Sequence, residues 1–198
     1  MTLNSEGWGL KVAVHIAFRR YDRVMTPRAR LATFVFLICC LTTSACMAEA
    51  TVLTSRDGRI KLQVPDGYAE RTPPKAVISL EAVNEAESST ILVISESQTQ
   101  FDSLQAYGEI VRQMMIDKLK DAQVDAGQKL QVSGNPAIRY EITGISSGGL
   151  RMAFLLTIIQ TDTRFTQVIG SCIRSAFSDR KQEFENITAT MKEVPPKK

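Results

Sequence analysis

The chain has 198 residues, 44% of them hydrophobic, with 24 basic and 21 acidic side chains. Six of the basic and three of the acidic residues precede residue 51, leaving eighteen of each after it, so the net charge of +3 belongs to the N-terminal segment. A neutral remainder excludes the basic surplus that marks nucleic-acid binding, and with the sole His at position 15, Ser-His-Asp and Cys-His catalysis and His-ligated zinc are excluded beyond residue 50.

Residues 1–24 read as an extended or non-native N-terminus, and Met25 reads as a natural start. After it come Arg28 and Arg30, an apolar run over 31–41, and small residues through Ala48 and Ala50. That order predicts a secretory signal peptide over 25–50. The apolar run of eleven residues is too short to span a bilayer. Two fates stay open. Cleavage after Ala50 leaves a periplasmic chain starting at Thr51. Alternatively Ser44-Ala45-Cys46 resembles the end of a bacterial lipobox, with Thr43 where Leu is favoured, and Cys46 carries a lipid that tethers the chain to the membrane. An uncleaved anchor over 31–48 is disfavoured by the polar second half of that stretch.

The 148 residues after position 50 fit one domain over 51–194, followed by a tail over 195–198. A short strand over 51–55 precedes the turn pair Asp57-Gly58. Strict alternation over 59–64 puts Ile60, Leu62 and Val64 on one face of a half-buried strand. Strands over 76–83 and 90–95 flank an acidic loop. A helix is predicted over 102–119, capped by Asp102 or Ser103. Leu104, Tyr107, Val111, Met114 and Met115 form its apolar face, and Lys118 and Lys120 complement its C-terminal dipole. A strand over 129–132, a Gly134-Asn135-Pro136 turn and a strand over 137–143 follow. The apolar stretch 150–160 reads as a central strand covered on both faces, and 165–173 as the next strand. A final helix spans 178–191, with Phe184, Ile187 and Met191 inward. Short hairpin connections predict a mainly antiparallel sheet flanked by helices, an α+β layered architecture.

Catalytic motifs are absent from this pattern: there is no GxSxG elbow, P-loop or GxGxxG. Cys172, the only cysteine after the leader, reads as a buried small hydrophobe. Two acidic clusters, Glu81/Glu85/Glu87 and Asp117/Asp121/Asp125, are the oxygen-rich candidates for a cation, but they lack EF-hand spacing and read as solvated surface. No catalytic, cofactor or metal residue is assigned.

The run Asp57-Gly58-Arg59-Ile60-Lys61-Leu62-Gln63-Val64-Pro65, with the strand series over 137–173 and the closing helix, resembles the DcrB-like family of bacterial exported proteins of the PsbP-like fold. The resemblance implies an antiparallel sheet flanked by helices, a cell-envelope location and a binding or assembly role. It maps no site residue by residue. The expected function is therefore a non-catalytic envelope protein. Its partner is another envelope protein or the membrane periphery, and it reaches the membrane itself only if Cys46 is lipidated. The alternatives are a small-molecule or metal-ion binding module, using a pocket between the sheet and the helix over 102–119, or a carboxylate-dependent hydrolase.

Overall fold

The computed structural model describes residues 50–73 and 76–195. Residues 25–49 of the leader, Cys46 among them, lie outside the described residues. The strands are β1 (Thr51–Thr54), β2 (Ile60–Val64), β3 (Ala69–Arg71), β4 (Ile78–Asn84), β5 (Ser89–Ser97), β6 (Lys120–Val124), β7 (Gln128–Val132), β8 (Asn135–Ile145), β9 (Arg151–Gln160), β10 (Arg164–Ile173) and β11 (Lys192–Glu193). The helices are α1 (Leu104–Ile116) and α2 (Phe177–Ala189).

Eight strands form one sheet in the order β3-β4-β5-β10-β9-β8-β6, with β7 pairing β8 on the same edge as β6. Each neighbouring pair is antiparallel. Strands β1, β2 and β11 make a separate small sheet. The architecture is an α+β sandwich with a mainly antiparallel sheet, as the strand and helix periodicities predict.

The sheet divides the interior into two cores. Along β9, Met152, Phe154, Leu156 and Ile158 point to one side and pack with Tyr107, Val111 and Met115 of α1. Ala153, Leu155 and Ile159 point to the other and pack with Phe184 and Ile187 of α2 and with Ile60, Leu62 and Val64 of β2. This is the period of two expected of a strand covered on both faces. Each buried Leu, Ile or Phe contributes about 1.5–3 kcal/mol relative to exposure, so the doubly covered strands β9 and β10 carry much of the stability. The three alternating residues of β2 are fully buried.

The structure corrects several boundaries. Ser103 is the N-cap of α1, its Oγ accepting from the Ala106 amide at 3.1 Å. The helix ends at Ile116, so Lys118 lies beyond it and Lys120 opens β6 rather than facing the helix dipole. The β7–β8 turn is Ser133-Gly134, both at positive φ, the conformation of a type I′ hairpin turn. Asn135 and Pro136 already belong to β8. Pro136 is tolerated there because the pairing of β8 with β9 begins only at Ala137. Strands β3, β6 and β11 carry no predicted counterpart. They are short, mostly polar, and lie at sheet edges.

Candidate functional site

The sequence places its hoped-for pocket between the sheet and α1, and the structure fills that space. Tyr107 is fully buried there. Its ring stacks on Phe165 at 4.8 Å between centroids and meets Phe101 edge-on at 4.6 Å, an aromatic cluster in favourable geometry. Its hydroxyl donates to Glu96 Oε2 at 2.5 Å and accepts from Gln167 Nε2 at 2.6 Å. Burial raises the Glu96 carboxyl above its ordinary value, against the opposing effect of the Tyr107 bond. Burial and the adjacent Glu96 raise the Tyr107 phenol far beyond its usual range. Tyr107 is therefore a fixed donor, and the trio ties α1 to β5 and β10.

A second polar chain secures the other face. Tyr68 Oη donates to Glu183 Oε1 at 2.7 Å and lies 2.9 Å from Ser89 Oγ. Arg180 bridges Glu183 and Glu87. Glu85 pairs with Arg71, and Glu81 is buried in β4. The first acidic cluster is thus dispersed into separate contacts. The second is dispersed too. Asp117 accepts from Gln113, Asp125 accepts from the Gly127 and Glu141 amides, and Asp121 sits at positive φ on β6. No group of three metal-ligating side chains converges among the described residues.

An open cleft of about 440 Å³ lies where the β7–β8 and β9–β10 turns meet β11 and the loop before β2. Arg59 anchors it. Its guanidinium donates to Glu193 Oε1 at 3.0 Å and to the Val194 carbonyl at 3.1 Å, linking residues 134 and 135 positions apart. Thr163 Oγ1 donates to the same carboxylate oxygen at 2.7 Å. Burial would raise the Glu193 carboxyl, but bonds from Thr161, Thr163 and Arg59 outweigh it and hold the group below its ordinary value. Asp57 is likewise lowered, burial being outweighed by Ser55, the Arg59 amide and Arg164. Such a surface can present the hydroxyls and amides of Ser133, Asn135 and Thr163 to a polar partner. Two of its charges, Arg59 and Glu193, are already paired with each other. Spacing gave no sign of this link, because its partners come from opposite ends of the described chain.

Of the residues singled out from sequence, Cys172 is fully buried, and burial pushes its thiol up to about 11. Ala50 is exposed, immediately before β1. No helix among the described residues is long and apolar enough to cross a membrane.

Comparison with known proteins supports the fold. No family model and no curated protein matches the chain in sequence. Solved structures do match. The cyanobacterial PsbP (CyanoP) of Synechocystis sp. PCC 6803 aligns with a TM-score of 0.60 at 10% identity, covering 78% of this chain and 98% of its own. LpqN of Mycobacterium tuberculosis, involved in cell envelope biogenesis, aligns at 0.54 with 15% identity over 74% of this chain and 91% of its own. The Saccharomyces cerevisiae Ran-binding protein Mog1p aligns at 0.51 with 11% identity over 73% and 95%. The fold is PsbP-like.

Proposed function

We propose that this chain is an exported, non-catalytic protein of the DcrB-like kind, acting as a binding or assembly module in the bacterial cell envelope. The observation that carries this reading is the PsbP-like sandwich itself, shared with CyanoP and with LpqN, a protein of cell envelope biogenesis. The signal-peptide order of residues 25–50 supplies the route of export. The chemistry of the described residues agrees. They hold no His, their cysteine is buried with a raised thiol, and the two acidic clusters of the sequence are dispersed into separate contacts. Recognition would use the open cleft between the β7–β8 and β9–β10 turns, whose size falls within the range of ordinary binding sites.

The decisive experiment is the intact mass of the chain recovered from periplasmic and membrane fractions, joined to cross-linking of the same fractions. A soluble species beginning at Thr51 with a reproducible cross-linked envelope partner fulfils the reading. A membrane species carrying acyl chains on Cys46, cross-linked to a membrane complex, fulfils its lipoprotein form. A chain retained in the cytoplasm at full length overturns it.

A further inference from the structure

Nine arginines stand among the described residues, and seven are engaged. Arg59, Arg71, Arg112, Arg139, Arg164 and Arg180 form ion pairs with carboxylates, and Arg56 donates to the Pro73 carbonyl at 3.0 Å. The remaining two, Arg151 and Arg174, pair with no carboxylate among the described residues, and both line one cleft of about 210 Å³. They are 23 positions apart in sequence and meet because β9 begins beside the end of β10. The Arg174 guanidinium lies 6.0 Å from the Phe177 ring centroid, a cation–π contact that leaves its donors unspent.

The cleft's other wall comes from a break in the sheet. The pairing of β6 with β8 shifts register between Lys120 and Gln123, and Asp121, within that irregularity, has a φ of 52°. Bulges of this kind re-aim side chains and recur beside sites. Gln123 and Thr143 add neutral hydrogen-bonding groups to the wall.

We propose that Arg151 and Arg174 form a binding site for a single carboxylate group, carried by a small carboxylic acid or by the C-terminus of a protein chain. Guanidinium forks match carboxylate geometry with two parallel bonds. Both arginines are solvent-exposed and line the same recess, so their donors are open to an anion seated there. Asp121 lines the same cleft and offsets one positive charge. The net charge of these three side chains suits a monoanion rather than a phosphate dianion. The volume falls below the roughly 300–1,000 Å³ of pockets that enclose whole drug-sized ligands, so the site holds a charged end and leaves the rest of the ligand outside. The site is independent of where the chain resides.

The test is a titration of the full chain, ¹⁵N-labelled, with acetate, with an N-acetylated tripeptide bearing a free C-terminus, with the same tripeptide amidated, and with inorganic phosphate. Expected are saturable shifts of the Gln123, Thr143 and Gly144 amides with acetate and with the free-ended peptide, none with the amidated peptide, and weaker binding of phosphate. Arg151→Gln and Arg174→Gln each weaken binding about tenfold, the loss of one charge-assisted contact. Sodium chloride weakens binding to the unaltered chain by screening, a check that does not depend on the variants folding. Peptide binding much tighter than acetate identifies a chain end as the ligand, and equal binding identifies a free acid. Absent saturation, salt-independent binding, undiminished affinity in both folded variants, or phosphate binding more tightly than acetate overturns the proposal.

Discussion

Gly170 of β10 and Phe184 of α2 are in direct contact, and the contact sets how closely the helix lies on the sheet. A β-carbon at Gly170 would stand 2.4 Å from Phe184 Cγ, nearer than side chains approach one another. Phe184 is itself fully buried, so its ring has no room to withdraw. The absent side chain of one residue is the seat of the other.

Gly170→Ala should therefore destabilise the protein by about 1–3 kcal/mol, the usual cost of forcing extra volume into a packed core. Phe184→Ala should cost about 3–5 kcal/mol. The double variant should cost less than the sum, because the alanine methyl occupies space vacated by the ring. Urea unfolding of the four proteins measures the cycle, and strict additivity would show that the contact is not the cause.

Tyr107→Phe removes one hydroxyl and strands two partners, the half-buried Glu96 carboxylate and the buried Gln167 amide. The expected loss is about 1–3 kcal/mol. Because the Tyr107 bond lowers the Glu96 pKa against burial, the variant should raise that pKa further. Carboxyl ¹³C titration of Glu96 in both proteins reads the change directly.

Glu96 also carries a pH dependence of definite sign. Its folded pKa is raised, so the folded state holds the proton more tightly than the unfolded state. The stabilisation is full below the ordinary glutamate value and is lost as pH rises through the raised one. Glu96→Gln should abolish that component, leaving stability flatter across the window. Chemical denaturation at a series of pH values tests it.

The Arg59–Glu193 link behaves in the opposite sense. Glu193 and Asp57 are held below their ordinary values. Their contributions are present above the ordinary carboxylate range and disappear as pH falls through the lowered values. Acid should release β11 from β2 before the sheet opens. Hydrogen exchange of the Val194 amide, which donates to the Arg59 carbonyl at 2.7 Å, should lose protection first. Simultaneous loss across β9 and β10 would contradict a local release.

The strands that bury a face announce themselves, and those held by backbone pairing alone do not. Ile60, Leu62 and Val64 alternate because the small sheet has one wet side, and the run from Met152 to Ile159, apolar but for Thr157, reports cover on both. The polar β6 shows only Ala122 and Val124 partly buried. The three residues of β3 and the two of β11 are too short to display a period. Tyr107 was legible as an inward helix position, but its partners Glu96 and Gln167 lie 11 and 60 residues away and were not. Arg151 and Arg174 were invisible for a different reason. What distinguishes them is the lack of a carboxylate partner among the described residues, and partners are known only once the chain is folded.

The pairing of β5 with β10 joins Ser95 to Thr166 and Thr90 to Ser171 in register. Three of the main sheet's eight strands are thus made before residue 98 and wait for a strand made some seventy residues later. Contacts of such long sequence separation form slowly, because the intervening chain must close as a loop. During synthesis from the N-terminus, β5 has an unsatisfied edge until residue 173 is free to dock. The chain cannot complete its central layer piecemeal, and it stays threadable until almost its whole length exists.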